Sequence, residues 1–418
     1  MRTLLALISL SLPIAAQSQV LVVDDDLGPG ASFASIQAAV DAALAGDLVL
    51  VRDGTYEQFE VVGKGLSVVA DGTSVTIVPT LAGNPSTSTS LIADVPTGER
   101  ALVRGLTFAT LPEATVGETI HIDSCDGLVW LEDVVIDPGF DPLFGLATAQ
   151  FAAVQIDASE AVMITNSVLE GATNGSFSNL TVGGRGLRVN SSDVFVHSCT
   201  IAAGTSPGSG AVGAPGVDLF SATATLRDST VTGGTRGASP TSGQGGTGGP
   251  GIFGQNSPQA WAINTDFFGG VGGPSTIFGG ANGDNGPPIG PFFGTIVEDP
   301  STGVQLTASS LVRDDPDALA EATISSEPGS IALLLVNTTP FPELVPAFPD
   351  SAAVGLNAIV LPIGTLDAQG QLSFTSGAPA LPPGFPTVSL GIQAALITPS
   401  TGLEVSNPSL ITFVDDAF

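Results

Sequence analysis

The chain has 418 residues, of which 43% are hydrophobic, 53 are glycine and 31 are proline, and it carries a formal net charge of −30 from 40 acidic and 10 basic side chains. That much apolar material excludes an intrinsically disordered chain despite the glycine and proline content. The charge argues against nucleic acid or anionic lipid as a partner, and a polyanionic glycan would need a bridging cation.

The first residues, Met1-Arg2-Thr3, lead into an apolar stretch from Leu4 to Leu12 and then small residues through Ala15-Ala16-Gln17-Ser18. This is the pattern of a secretory signal peptide over residues 1–18, with cleavage after Ala16 or Ser18. The stretch is well short of the ~20 residues that span a bilayer, so no transmembrane span is expected and the mature protein should be secreted or held at the cell surface. Next, Phe33, Ile36, Val40 and Leu44 fall on one face of a predicted helix over residues 32–44.

The middle third repeats a short motif. Its copies are Leu131-Glu132-Asp133-Val134, Ile164-Thr165-Asn166-Ser167, Val196-His197-Ser198-Cys199, Leu226-Arg227-Asp228-Ser229 and Ile263-Asn264-Thr265-Asp266. Their third positions are 33, 32, 30 and 37 residues apart, the period of a solenoid of stacked turns. Val103-Arg104-Gly105-Leu106 and Val69-Ala70-Asp71-Gly72 fit as earlier, incomplete copies.

A second strand precedes each copy: Ile120-His121-Ile122-Asp123, Val154-Gln155-Ile156-Asp157, Leu187-Arg188-Val189-Asn190, Val217-Asp218-Leu219-Phe220 and Ile252-Phe253-Gly254-Gln255. First and third residues are apolar almost throughout, so they point inward and the second and fourth point out. On this register Ile156→Asp is expected to cost several kcal/mol and Asp157→Ala little. Loops of variable length, rich in Gly, Ser, Thr and Pro, join each motif copy to the next second strand and emerge on one side of the stack. Cys125 and Cys199 lie two turns apart, about 10 Å at the strand spacing and beyond bridging reach, so they are expected to stay unbonded unless an irregular turn brings them together.

Residues Phe33 to Asp41, then Ala45-Gly46-Asp47-Leu48-Val49-Leu50-Val51-Arg52-Asp53-Gly54-Thr55-Tyr56 and Lys64-Gly65-Leu66-Ser67-Val68-Val69-Ala70-Asp71-Gly72, resemble the N-terminal cap of right-handed parallel β-helix proteins of the pectin-lyase-like superfamily. The resemblance covers roughly residues 20–290. It implies an all-β fold, a right-handed parallel β-helix over residues 19–290 with an N-terminal capping helix. It implies no particular chemistry, since the cap is shared by members of different activity. Past Gly290 the period is lost and short strand-like runs separated by prolines, among them Ile331–Val336 and Val388–Leu396, predict a small C-terminal β-sandwich over residues 295–418.

In enzymes of this superfamily the substrate lies along outward residues of one sheet. By that resemblance His121, Gln155, Asn190, Asp218 and Phe220 are candidate contacts for a polysaccharide or cell-envelope glycan. Asp123 and Asp157, one turn apart, have the separation of a carboxylate pair or a shared Ca²⁺ site, and Arg188 one turn further on is a candidate base or charge clamp. The reading these residues favour is a monomeric, non-catalytic glycan-binding or structural protein with no required cofactor. A polysaccharide lyase or glycoside hydrolase using Asp123, Asp157 and Arg188 is the alternative. Asn264-Thr265-Asp266 matches one polygalacturonase motif without its companions, and residues 279–286 resemble a single Ca²⁺-binding nonapeptide whose glycine pattern is broken at Asn282.

Overall fold

The structure is a computed structural model that describes residues 18–79, 89–109, 118–137, 140–141, 152–174, 183–205, 212–237, 245–275, 281–299, 304–309, 311–313, 318–337, 343–344, 352–353, 358–377, 381, 386–400 and 402–415. Nearly all of the predicted signal peptide lies outside these residues. They form two compact units, one of residues 22–45 and 49–300, the other dominated by residues 301–418.

The first unit is a parallel β-solenoid of about seven turns. Each complete turn contributes three strands, here called faces 1, 2 and 3. Face 1 is an eight-stranded sheet that includes Ile120–Asp123, Ala152–Asp157, Arg185–Asn190, Val217–Phe220, Ile252–Gln255 and Ile289–Phe292. Face 2 includes Arg100–Arg104, Leu128–Glu132, Ala161–Thr165, Asp193–His197, Thr223–Arg227, Gln259–Ile263 and Thr295–Asp299. Face 3 includes Thr107–Ala109, Val135–Asp137, Val168–Glu170, Thr200–Ala202, Thr230–Thr232 and Asp266–Phe268. Parallel pairing therefore runs on to Asp299.

The repeated motif is the corner between faces 2 and 3. Asp133, Asn166, Ser198, Asp228 and Asn264 all have positive φ, between 44° and 52°, the left-handed conformation that Asn and Asp tolerate better than most residues. In the fifth copy the register pairs Arg227 with Ile263, so the motif there is Ala262-Ile263-Asn264-Thr265, one residue earlier than the sequence pattern suggests. At the N-terminal end Val68, not Val69, pairs with Val103. A second corner, between faces 1 and 2, bends at Ser124, Ala158, Ser191 and Ser221.

Just after several of these bends a serine turns inward and ties neighbouring turns. Ser167 Oγ accepts from Val134 N–H and donates to Thr165 O, and Ser229 Oγ accepts from Cys199 N–H and donates to Arg227 O. Ser159 and Ser192 do the same at the other corner. Cys125 and Cys199 occupy two of these serine-like places. Both are buried and unbridged, and burial pushes the Cys199 thiol up to about 12.

Face 3 has no counterpart in the sequence reading because its strands are three residues long, each with a single inward side chain such as Ile136, Leu169, Ile201 or Val231. One apolar residue shows no alternation. Inward positions on face 1 agree with the expected pattern: Ile120, Ile122, Val154, Ile156, Leu187, Val189, Val217 and Leu219 are all buried. The helix is shorter than predicted, Ile36–Ala42, with Ser35 as its N-cap. Phe33 is instead bridged to Val23, and Leu44 lies beyond the C-terminal end and is exposed. Lys64, the only lysine, donates through Nζ to Val40 O and Ala43 O at that end.

The glycine-rich connections are an ordered layer rather than loose loops. Segments 233–237 and 269–275 run outward from face 3, and segments 213–216, 245–251 and 281–288 return to face 1, hydrogen-bonded to neighbours at every third residue. Gly245, Gly248 and Gly251 donate to Ala281 O, Asp284 O and Pro287 O of the next returning segment. Gly249 donates across to Gly234 O, Gly270 to Gly249 O and Gly286 to Gly270 O. A three-residue period of contacts is that of an extended threefold chain. Glycine is required by close approach: a Cβ on Gly249 would lie 2.0 Å from Ala214 O, and one on Gly270 2.1 Å from Gly234 O. In the last returning segment Asn282, Asn285 and Pro288 stand where Gly245, Gly248 and Gly251 stood one turn earlier.

In the second unit, Gln305–Ala308, Leu319–Ser325 and Gln371–Gly377 form a three-stranded antiparallel sheet. Leu311–Arg313, Gly402–Val414, Thr387–Thr398, Ile331–Asn337 and Ile359–Thr365 form a five-stranded one, antiparallel apart from its first pair. Residues of both sheets share one core, including Leu306, Ile324, Leu334, Ile392 and Phe413.

Candidate functional site

Face 1 carries its outward residues in two in-register ladders. One runs His121, Gln155, Arg188, Asp218, Phe253 and the other Asp123, Asp157, Asn190, Phe220, Gln255, each step between directly paired residues. The strands that carry them stack because their inward Ile, Val and Leu residues are buried at every turn, which fixes the outward set by alternation.

Asp157 is the hub of this surface. Its Oδ2 lies 2.8 Å from His121 Nε2 and accepts from Gln155 Nε2 at 2.7 Å, while Oδ1 accepts from Asn190 Nδ2 at 2.5 Å. Partial burial pushes the carboxyl up, but hydrogen bonds from His121, Gln155 and Asn190 outweigh it and hold Asp157 down at about 2. His121 is shifted the other way, chiefly by its bond to Asp157, with Glu118 Oε1 3.5 Å from Nδ1 on the other side.

The three candidate catalytic residues are not joined. Asp123 pairs in register with Asp157, yet its Oδ1 accepts from Ser124 Oγ at 3.0 Å. Arg188 pairs with Gln155 and makes no hydrogen bond or ion pair with the described residues. Asp218 is held by Arg185 Nε at 2.5 Å. A cation at Asp123 and Asp157 would have to displace donors that Asp157 already holds. The expected cheapness of Asp157→Ala is revised accordingly. Removing a half-buried acceptor that links three turns is expected to cost about 1–2 kcal/mol, measured by denaturant unfolding, with Asn the milder substitution.

Sequence reasoning missed a second polar array on the outer side of face 2. Arg104, Glu132, Thr165, His197 and Arg227 stack in register and are all buried. Arg104 Nη2 lies 3.5 Å from Glu132 Oε1. His197 Nε2 lies 3.1 Å from Asp228 Oδ2, which is 3.3 Å from Arg227 Nε, and Asn264 Nδ2 donates to Asp228 Oδ1 at 2.6 Å. Trp130, with Nε1 on Thr165 Oγ1 at 2.9 Å, Met163 and Phe195 form the adjacent buried ladder. Neither His197 nor Arg227 declares its partner in the sequence, because Asp228, at the corner, reads there only as turn chemistry.

Burial lowers the affinity of His197 for a proton more than Asp228 raises it. A histidine kept neutral in the fold costs stability once the unfolded chain binds a proton, so stability should fall as pH drops below about 6.5. The His121–Asp157 pair works oppositely. The histidine part is complete below about 6.5 and the carboxylate part above about 3.9, so both are at full strength between those values. His197→Gln should therefore flatten the loss of unfolding free energy between pH 7 and pH 5, and His121→Gln, which removes an opposing contribution, should steepen it.

In residues 281–286, Asn282 Oδ1 accepts from Ser275 N–H and Asn285 Oδ1 from Gly272 N–H, both serving the glycine layer; residues 279–280 lie outside the described set. No described helix is long and apolar enough to cross a membrane. Fold and surface together define a parallel β-solenoid with a polar strip on one sheet. The sequence matches no protein-family model and no curated protein.

Proposed function

We propose that this is a secreted or cell-surface, right-handed parallel β-helix of pectin-lyase-like type, with a capping helix and a C-terminal β-sandwich, that binds polysaccharide or cell-envelope glycan without catalysis. The observation that carries this reading is the pair of outward ladders on face 1. They hold a different polar or aromatic side chain at each of several consecutive turns, the spacing of a surface for a repeating polymer. Arg188, Gln155, Asn190 and Phe220 supply a cation, two amides and an aromatic face, while Asp157 positions its neighbours. Against the lyase or hydrolase reading, both Asp157 oxygens are engaged by donors, which makes it a poor nucleophile or base.

The test is a panel of insoluble and soluble polysaccharides, with and without Ca²⁺, read by retention of the protein, by new reducing ends and by absorbance of unsaturated uronides. Retention on at least one glycan without product release is expected. Product release abolished by Asp157→Ala would replace this reading with the enzyme. No retention and no turnover on any glycan would remove both.

A further inference from the structure

The early turns of the solenoid cover their aromatic residues: Tyr56, Phe59, Phe108, Trp130 and Phe195 are all buried. The last turns bury Phe267 but leave others exposed. Phe220 is 44% exposed and Phe293 65% exposed. Phe220 pairs with Gln255, and Phe293 N–H donates to Gly254 O, so the two phenylalanines stand one turn to either side of Gln255. Phe253 lies on the neighbouring ladder. Around the corner at Asn256 and Ser257, face 2 continues with exposed Gln259 and half-buried Trp261, whose register neighbours are Thr225 and Val297. The side-chain amides of Gln255 and Gln259 make no hydrogen bond with the described residues. None of Phe220, Phe253, Gln255, Gln259, Trp261 and Phe293 is charged, in a chain whose net charge is −30.

We infer that this corner at the C-terminal end of the solenoid is a second binding site, meeting the polar strip at Phe220, and that it takes an uncharged sugar. Aromatic rings offer flat apolar faces to the C–H surface of a pyranose, and the two free amides each offer donors and an acceptor to its hydroxyls. Among the described residues, none of the six that form this corner would offer a cation to a uronate or sulfated sugar. The inference rests on the glycan-binding reading above and narrows its ligand at this position to a neutral chain.

The two tryptophans make the test direct, because Trp130 is 1% exposed and Trp261 faces outward. The full-length protein is titrated with hexasaccharides of glucose, mannose and xylose, and with hexagalacturonate as the charged comparator, while tryptophan fluorescence is followed. A saturable change with a neutral hexamer is expected, absent with hexagalacturonate and erased by Trp261→Phe. Phe220→Ala combined with Phe293→Ala should weaken binding at least tenfold and Gln255→Ala alone several-fold, with thermal melts unchanged. If a neutral glycan binds but Arg188→Ala abolishes it and the corner variants do not, the corner site is wrong and the glycan reading stands. If the fluorescence change survives Trp261→Phe, the location is wrong. If the folded protein binds no glycan of either kind, the wider reading fails as well.

Discussion

Gly249→Ala is expected to destabilise the solenoid by at least about 3 kcal/mol, and Gly270→Ala by a similar amount. The added Cβ in each would meet a backbone carbonyl at about 2 Å. A flexible side chain would swing aside, but a carbonyl already accepting or flanking an inter-turn hydrogen bond can move only if the segments separate. Separation would leave unpaired N–H and C=O groups in the buried layer. Gly377→Ala is the control, since a Cβ there has nothing within 4 Å. Urea unfolding of the three variants decides the matter. Equal midpoints for all three would mean that the glycine segments are loosely held.

Asp228→Ala is the second large effect, expected at about 3–5 kcal/mol. This carboxylate is almost wholly buried and receives His197, Arg227 and Asn264 together. Its loss would remove an ion-pair partner from a guanidinium and an imidazole that are themselves buried, and it would remove the corner residue that accepts positive φ. Burial opposes the charge on Asp228, but the bonds from His197 and Asn264 hold the carboxyl below its ordinary value. Its contribution should thus be complete above about pH 4 and fade as pH falls further. Asp228→Asn keeps the corner conformation and loses only the charge, so calorimetric unfolding should place it between the wild type and Asp228→Ala.

Two of the three faces were legible because each strand there is long enough to alternate. Ile120-His121-Ile122-Asp123 declares its inward pair by hydropathy alone, and the register of the outward ladders follows from it. Face 3 was not legible, with one inward residue per strand. Nor was the slip at Asn264: an apolar residue at both 262 and 263 lets the motif be set in either frame, and only pairing with Arg227 decides. The helix was drawn too long because Phe33 and Leu44 share the helical spacing but serve a bridge and an exposed end. On face 1 the chain order supplied the outward residues. What it could not supply was which of them are already committed to one another, and Asp157, accepting from neighbours on three turns, is the clearest case. The buried charges of face 2 were hidden for a related reason: alternation marks a side chain as outward, not as exposed.

The change from Gly245, Gly248 and Gly251 to Asn282, Asn285 and Pro288 also bears on how such a chain lengthens. A turn laid upon the last one would press its backbone against two asparagine side chains and meet a proline with no N–H to donate, so the array carries its own stop. Duplication of the 281–288 segment at the end of the stack would therefore yield a repeat that cannot seat. A copied turn succeeds only when inserted among the glycine-bearing ones, and elongation of this gene would be internal rather than terminal.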